Sequence, residues 1–228
     1  MAASVIGLAA CGGGSPAGRV NAIDSAAASA RAAGQPGAIT SAKLVGALLT
    51  KINGAPATGS AADGSYESLP QVKTAERQAR SVHVRPGRCR RAELDGPQLG
   101  ALGHVPAAAV NFTVGRNSVS EMLAAPPRSA AEAELSRTLP ASCERYWASS
   151  GGKDAWYTAK EESVAGIGQR ARVLNVRPDS QPSGNTWSVV FRGAGFVGSV
   201  TVVGPDASEL AVRELGLQAY GFAARTLS

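Results

Sequence analysis

The spacing of apolar side chains divides the sequence into stretches of helical and of strand period. Leu44, Val45, Leu48, Leu49 and Ile52 recur at helical spacing, which predicts a helix starting at Thr40 or Ser41 and ended by Gly54. A Gly/Ser/Ala loop follows over 54–65. Val82 and Val84 alternate with His83 and Arg85, a short half-buried strand stopped by Pro86-Gly87. Val110, Phe112 and Val114 alternate with Asn111 and Thr113, and residues 117–125 return beside that strand before Pro126-Pro127. Ser129 and Glu132 have capping-box spacing, which predicts a helix to about Leu139 that Pro140 ends. Further strands are expected around 154–160, 170–176, 186–192 and 196–203, the last with Val200 and Val202 alternating with Ser199 and Thr201. A final helix opens at Asp206, with Glu209 in capping-box register. It carries a burial stripe of Val212, Leu215, Ala219 and Phe222, and Glu209 can pair with Arg213.

Strands joined by short turns and bracketed by helices define an α+β fold: an antiparallel β-sheet with helices packed mainly on one face, in a single domain. That domain is expected over 39–228, about 190 residues, an ordinary size for one core. Hydrophobic residues make up 44% of the chain, which excludes a wholly disordered protein. No internal repeat is present, and no run of eighteen apolar residues is available to span a bilayer.

The N-terminus has a different character. Leu8-Ala9-Ala10-Cys11 reads as a bacterial lipobox, in which small residues fit the signal peptidase and the cysteine thiol receives diacylglycerol. Gly12, Gly13, Gly14 and Ser15 follow as a spacer. Residues 1–10 are accordingly expected to be a signal peptide, and 11–38 the lipidated cysteine and its tether. The segment before Cys11 has no Lys or Arg and a short apolar run, so the signal peptide is expected to be truncated at its start. Cysteine usage agrees with export. Of Cys11, Cys89 and Cys143, lipid on the first leaves an even pair, which an oxidising compartment favours as a disulfide. A Cys89–Cys143 bridge would close a loop worth about 4 kcal/mol in the chain-entropy model. Two buried free thiols are the alternative.

Charge adds a partner class. Lys and Arg number 23 against 17 Asp and Glu, a formal +6, which suits anionic lipid heads, wall polymers or nucleic acid. The excess is concentrated at Lys73, Arg77, Arg80, Arg85, Arg88, Arg90 and Arg91, with Glu76 the only acid in that stretch. Near a lipid anchor, Arg85, Arg88, Arg90 and Arg91 are the candidate contacts to an anionic surface. The bland reading is a solvated face. An exported chain is not expected to meet nucleic acid.

Motifs for catalysis are weak. Gly193-Ala194-Gly195-Phe196-Val197-Gly198 matches GxGxxG, but a strand at Ser199–Val203 follows where a dinucleotide site needs a helix, so a hairpin turn is expected. Ser150 and Lys153 have SxxK spacing across two glycines that oppose the helical turn this chemistry requires. The two histidines, His83 and His104, lack a third metal ligand nearby, and no GxSxG elbow occurs. No cofactor, metal or catalytic residue is predicted. Trp147, Trp156 and Trp187, with Tyr146 and Tyr157, are an aromatic set that either packs a core or lines a cleft.

From Leu44 onward the order of elements resembles the PknH-like extracellular sensor domains of actinobacteria. The matching pieces are Leu48-Leu49-Thr50, Cys89 and Cys143 flanking the central strands, and Val164-Ala165-Gly166-Ile167-Gly168 before a strand. Phe191-Arg192-Gly193 through Val197, then Val200-Thr201-Val202 and a C-terminal Ala-rich helix, complete the likeness. Such domains often carry two disulfides, whereas this chain has cysteines for one. The resemblance implies an extracytoplasmic sensing or binding role with a cleft and no catalytic residues; the leading expectation is a sensor-type domain that binds a small molecule, lipid or cell-wall fragment. The runner-up is a scaffold that binds another envelope protein, and the third reading is a hydrolase with an unrecognised site.

Overall fold

Backbone hydrogen bonding between alternating segments builds one nine-stranded sheet, antiparallel throughout. The computed structural model describes residues 38–89, 102–180 and 184–228. Two short strands, β1 (Lys51–Ile52) and β2 (Ala55–Pro56), pair with each other apart from the main sheet. The strands of the main sheet are β3 (Ala62–Ser65), β4 (Val82–Arg85), β5 (Pro106–Val114), β6 (Asn117–Ala124), β7 (Arg145–Ser150), β8 (Lys153–Val164), β9 (Arg170–Pro178), β10 (Thr186–Arg192) and β11 (Val197–Val203). Their order is β3-β5-β6-β11-β10-β9-β8-β7-β4, so β7 to β11 form a meander and β11 closes onto β6. The α+β, antiparallel, single-domain reading of the sequence holds.

Four helices among the described residues cover the sheet: α1 (Ser41–Gly46), α2 (Pro70–Ser81), α3 (Arg128–Ser136) and α4 (Glu209–Leu227). The larger core lies under α1 and α4, where Leu44, Leu48, Val212, Leu215 and Ala219 meet Val110, Phe112, Val119, Val173, Val189, Phe191 and Val200. Contact is close enough that a Cβ on Gly216 of α4 would come within 2.7 Å of Val189. The reverse face carries two smaller clusters. One gathers Tyr66, Leu69 and Val72 over Ala107 and Ala109; the other gathers Val82, Val84, Tyr146, Ala148 and Ala159 around Cys89 and Cys143.

Several elements differ from the sequence expectation. Helix α1 stops at Gly46, and Ile52 lies in β1. Asn53 and Gly54 both take positive φ, 49° and 81°, so Asn-Gly makes a two-residue hairpin turn rather than a helix end. Ile52 is buried in either reading, which is why periodicity does not separate them. The expected loop over 54–65 contains β2 and β3. Helix α3 ends at Ser136 and is preceded by Pro127, so the Ser129–Glu132 capping box does not form. Glu132 instead accepts hydrogen bonds from Arg128 (2.8 Å) and Arg192 (3.1 Å). Helix α4 is capped by Ser208, whose hydroxyl accepts from the Ala211 amide, while Asp206 pairs with Arg116. Its buried stripe ends on Ala223 in place of Phe222, and Glu209 pairs with Arg213 at 2.7 Å as expected.

Helix α2 and strand β7 have no counterpart in the sequence expectation. Helix α2 follows Pro70 at its first turn and buries only Val72, so it has no apolar stripe to announce it. It also bends the architecture. With the 3-10 turn at Tyr66–Ser68 it carries the chain from edge strand β3 to edge strand β4. That path spans about 27 Å at helical rise. A flat nine-stranded sheet would separate its edges by about 38 Å, so the sheet must curl toward α2.

Candidate functional site

The same sheet face that α1 and α4 cover at its centre is bare at the β8-β7-β4 margin. Paired residues of an antiparallel ladder point to one side. Arg85 pairs with Trp147, Trp147 with Trp156, and Arg145 with Thr158, which puts all five on this face. The Arg85 guanidinium lies 5.2 Å from the Trp147 ring centroid, and that of Arg145 lies 5.1 Å from Trp156. Trp156 is 50% exposed, the most open aromatic side chain among the described residues. The margin is therefore an open ladder of two indoles, each with a guanidinium over its ring.

Strand alternation puts the other aromatic pair beneath. Tyr146 and Tyr157 stack at 5.4 Å on the reverse face, against the cluster that holds Cys89 and Cys143. Those cysteines are bonded to each other, with Cα atoms 5.3 Å apart and no solvent exposure. The Asp179 carboxylate fixes the outer ladder, accepting from Thr158 Oγ1 at 2.8 Å and from Arg145 at 3.0 Å. The Thr158 hydrogen bond, and then Arg145, hold its carboxyl below the ordinary range. Arg85 pairs with no carboxylate among the described residues; its resolved partner is the Trp147 ring.

The basic run read from the sequence is split by the fold. Lys73, Arg77 and Arg80 belong to α2, Arg85 to β4, and Arg88 sits beside the disulfide, donating to Ser142 Oγ at 3.2 Å. Arg90, Arg91 and Cys11 lie outside the described residues. Trp187 is separated from the other tryptophans and packs at the margin of the large core. There, Asn175 hydrogen-bonds Asn185, which in turn reaches the Ala207 carbonyl. Tyr146 and Trp147 stand out in the sequence by type alone, without a strand to carry them. The signal for β7 is the alternation from Arg145 to Ser150 before Gly151-Gly152, both of which take positive φ in a tight hairpin.

Two polar features lie elsewhere. On the reverse face a cleft of about 160 Å³ is lined by Leu135, Arg137, Glu144, Glu161, Arg170 and Arg172 among others. Its charges neutralise one another: Arg172 bonds Glu161 at 2.7 Å and Glu134 at 3.1 Å, Arg137 bonds Glu134, and Glu161 also accepts the Leu139 amide. Both oxygens of Glu134 and of Glu161 are engaged, so this cluster staples α3 and its following loop to the sheet. In the large core, Glu121 of β6 is fully buried between Val110 and Val200. One oxygen accepts the Leu49 amide at 2.9 Å and the other has no partner. Burial pushes its carboxyl up to about 7, against the opposing hydrogen bond from Leu49.

The glycines of the GxGxxG stretch serve packing. A Cβ on Gly193 would strike the Phe196 ring and one on Gly198 the Phe191 ring, while Gly195 takes a φ of 80° in the β10–β11 turn. Ser150 and Lys153 face each other across the β7–β8 turn. His104 contacts Glu67 at 2.8 Å on the surface, and no cluster able to hold a metal ion occurs among the described residues. Nor is any described helix long and apolar enough to cross a membrane.

No family model matches the chain, and no curated protein matches it. Among solved structures, the extracellular domain of PknH from Mycobacterium tuberculosis superposes with a TM-score of 0.50 at 10% identity, over 74% of this chain and 82% of that one. An uncharacterised protein from Mycobacterium smegmatis is matched with a TM-score of 0.38 at 14% identity, over 72% of this chain and 88% of the other. The first likeness shows a shared fold.

Proposed function

We propose that this chain is an envelope protein, held by lipid on Cys11 at the outer face of the cell membrane, whose domain binds or senses without catalysing a reaction. The observation that carries the reading is the buried Cys89–Cys143 bridge. A structural disulfide belongs to an oxidising compartment, and it leaves Cys11 as the one cysteine outside the bridge. Sharing a fold with an extracellular domain supports the same compartment. The non-catalytic reading is supported by the cleft on the reverse face, where Glu134 and Glu161 are fully occupied by arginines and a backbone amide. The contact surface we assign is the open Arg85/Trp147/Trp156/Arg145 margin.

The test is acylation and redox state in the parent organism. Growth with a radiolabelled fatty acid should label the protein, and Cys11→Ala should abolish the label. Non-reducing mass analysis should find Cys89 and Cys143 without alkylatable thiols. An unlabelled protein with reduced thiols overturns the reading.

A further inference from the structure

We infer that the open margin is a membrane-contact surface, on which Trp147 and Trp156 rest in the headgroup layer of an anionic bilayer while Arg85 and Arg145 meet its phosphates. This rests on the envelope reading above and names the partner of the same face.

Shape comes first. Sites for small ligands are concave, whereas this surface consists of strand faces with no described helix over them. An open strand face without a described cavity suits an extended surface better than an enclosed ligand. The residue types then select the surface. Indole rings settle at the membrane–water boundary because an apolar body and a polar N–H suit that layer, and arginine heads reach phosphate there. Exposed tryptophans are also used to stack on sugar rings, but here each ring already lies beneath a guanidinium at 5.1–5.2 Å. A guanidinium held over a ring keeps N–H groups at its edges for phosphate oxygens, although one N–H of Arg145 is already given to Asp179. Arg85, with no carboxylate partner among the described residues, is the better placed of the two.

Charge on the margin is complementary to an anionic surface. Arg85, Arg145, Lys160 and Arg177 share the face with Asp154, Asp179 and Glu162, of which Asp179 is already bonded to Arg145 and Thr158 and Glu162 to Arg213 of α4. The length of chain before the domain permits the pose. From Cys11 to Ala38 its contour reaches at most about 95 Å, well beyond the roughly 40 Å width of a domain this size. An anchored lipid thus does not prevent this face from lying on the bilayer. It also raises the local concentration of the surface, so a weak contact suffices.

The experiment uses the full chain carrying Cys11→Ser, so that any binding is independent of lipid. Vesicles of phosphatidylcholine with phosphatidylglycerol are compared with phosphatidylcholine alone, both with brominated acyl chains that quench nearby tryptophan. The expected result is quenching and co-sedimentation with the anionic vesicles, weakening as salt is raised. Arg85→Gln and Trp156→Ala should each lower partitioning about fivefold, the loss of one interfacial contact. Both residues are exposed, and unchanged far-ultraviolet dichroism will show that the variants fold. No quenching by anionic vesicles, equal binding to both compositions, or variants that partition like the parent would each overturn the assignment. If tryptophan stays unquenched while the protein is acylated in its host, this surface serves a different partner and the envelope reading survives. If Cys11 is unmodified and the other thiols are reduced, the envelope reading fails whatever the vesicles show.

Discussion

The two halves of one sheet face obey the same alternation and end in opposite environments. At the centre, Val110, Val173, Val189 and Val200 lie under α1 and α4 with almost no solvent exposure. At the β8-β7-β4 margin, side chains in the same ladder positions are Arg85, Trp147, Trp156 and Thr158, and no described helix lies over them. Where cover exists, a polar group is held at a penalty: Glu121 has one hydrogen bond and a carboxyl pushed up to about 7. Where cover is missing, polarity is organised instead, each guanidinium lying over an indole. Alternation along a strand decides which way a side chain points. What packs above decides what that direction means.

The margin has its own dependence, because its reverse side is a small cluster around the disulfide. Replacing Cys89 and Cys143 with Ala should therefore have the largest effect, lowering the unfolding free energy by about 4 kcal/mol. Chemical denaturation measures this, and a loss below about 1 kcal/mol would mean the margin stands without its bridge. In the covered half, Leu44→Ala should remove about 3 kcal/mol by the same measurement, since Leu44 is fully buried between helix and sheet.

Glu121 sharpens the comparison through pH. Its native carboxyl titrates near 7 against 4.5 for a solvated glutamate, so between these limits the folded chain binds more protons than the unfolded one. This contribution to stability is greatest below pH 4.5, falls as pH rises toward 7 and is flat above, a total of about 3 kcal/mol. Glu121→Gln should abolish that slope and make the variant the more stable protein at pH 8. A parent protein equally stable at pH 5 and pH 8 would show the carboxylate to be solvated. Glu132 and Asp179, both held low by hydrogen-bonding partners, act in the opposite sense and at lower pH. The smallest effect is expected at the bare margin itself. Trp156→Ala should change stability by about 1 kcal/mol or less in the same denaturation, as for an exposed cation–π pair.

Sequence reading succeeds where a local rule and the tertiary environment agree. The alternation of Val110, Phe112 and Val114, and of Val200 and Val202, becomes β5 and β11 because one face of each is buried in the large core. The Cys89–Cys143 pair expected from the sequence is formed in the structure. Sequence reading fails where burial comes from elsewhere. Ile52 fits a helical stripe, yet Asn53-Gly54 turns the chain. Helix α2 buries too little to leave a periodic trace. The candidate surface is half legible: Arg85 and the tryptophans stand out by type. Only register, set by β4-β7-β8 pairing, brings Arg85 onto Trp147, and nothing in the sequence singles out Arg145.

Helix α2 joins β3 to β4, strands that are near neighbours in the chain and occupy opposite edges of the sheet. Helix α2 thus ties one margin of the sheet to the other. Local opening of one outer strand is therefore expected to raise amide exchange in the other as well, a coupling that native-state hydrogen exchange would read.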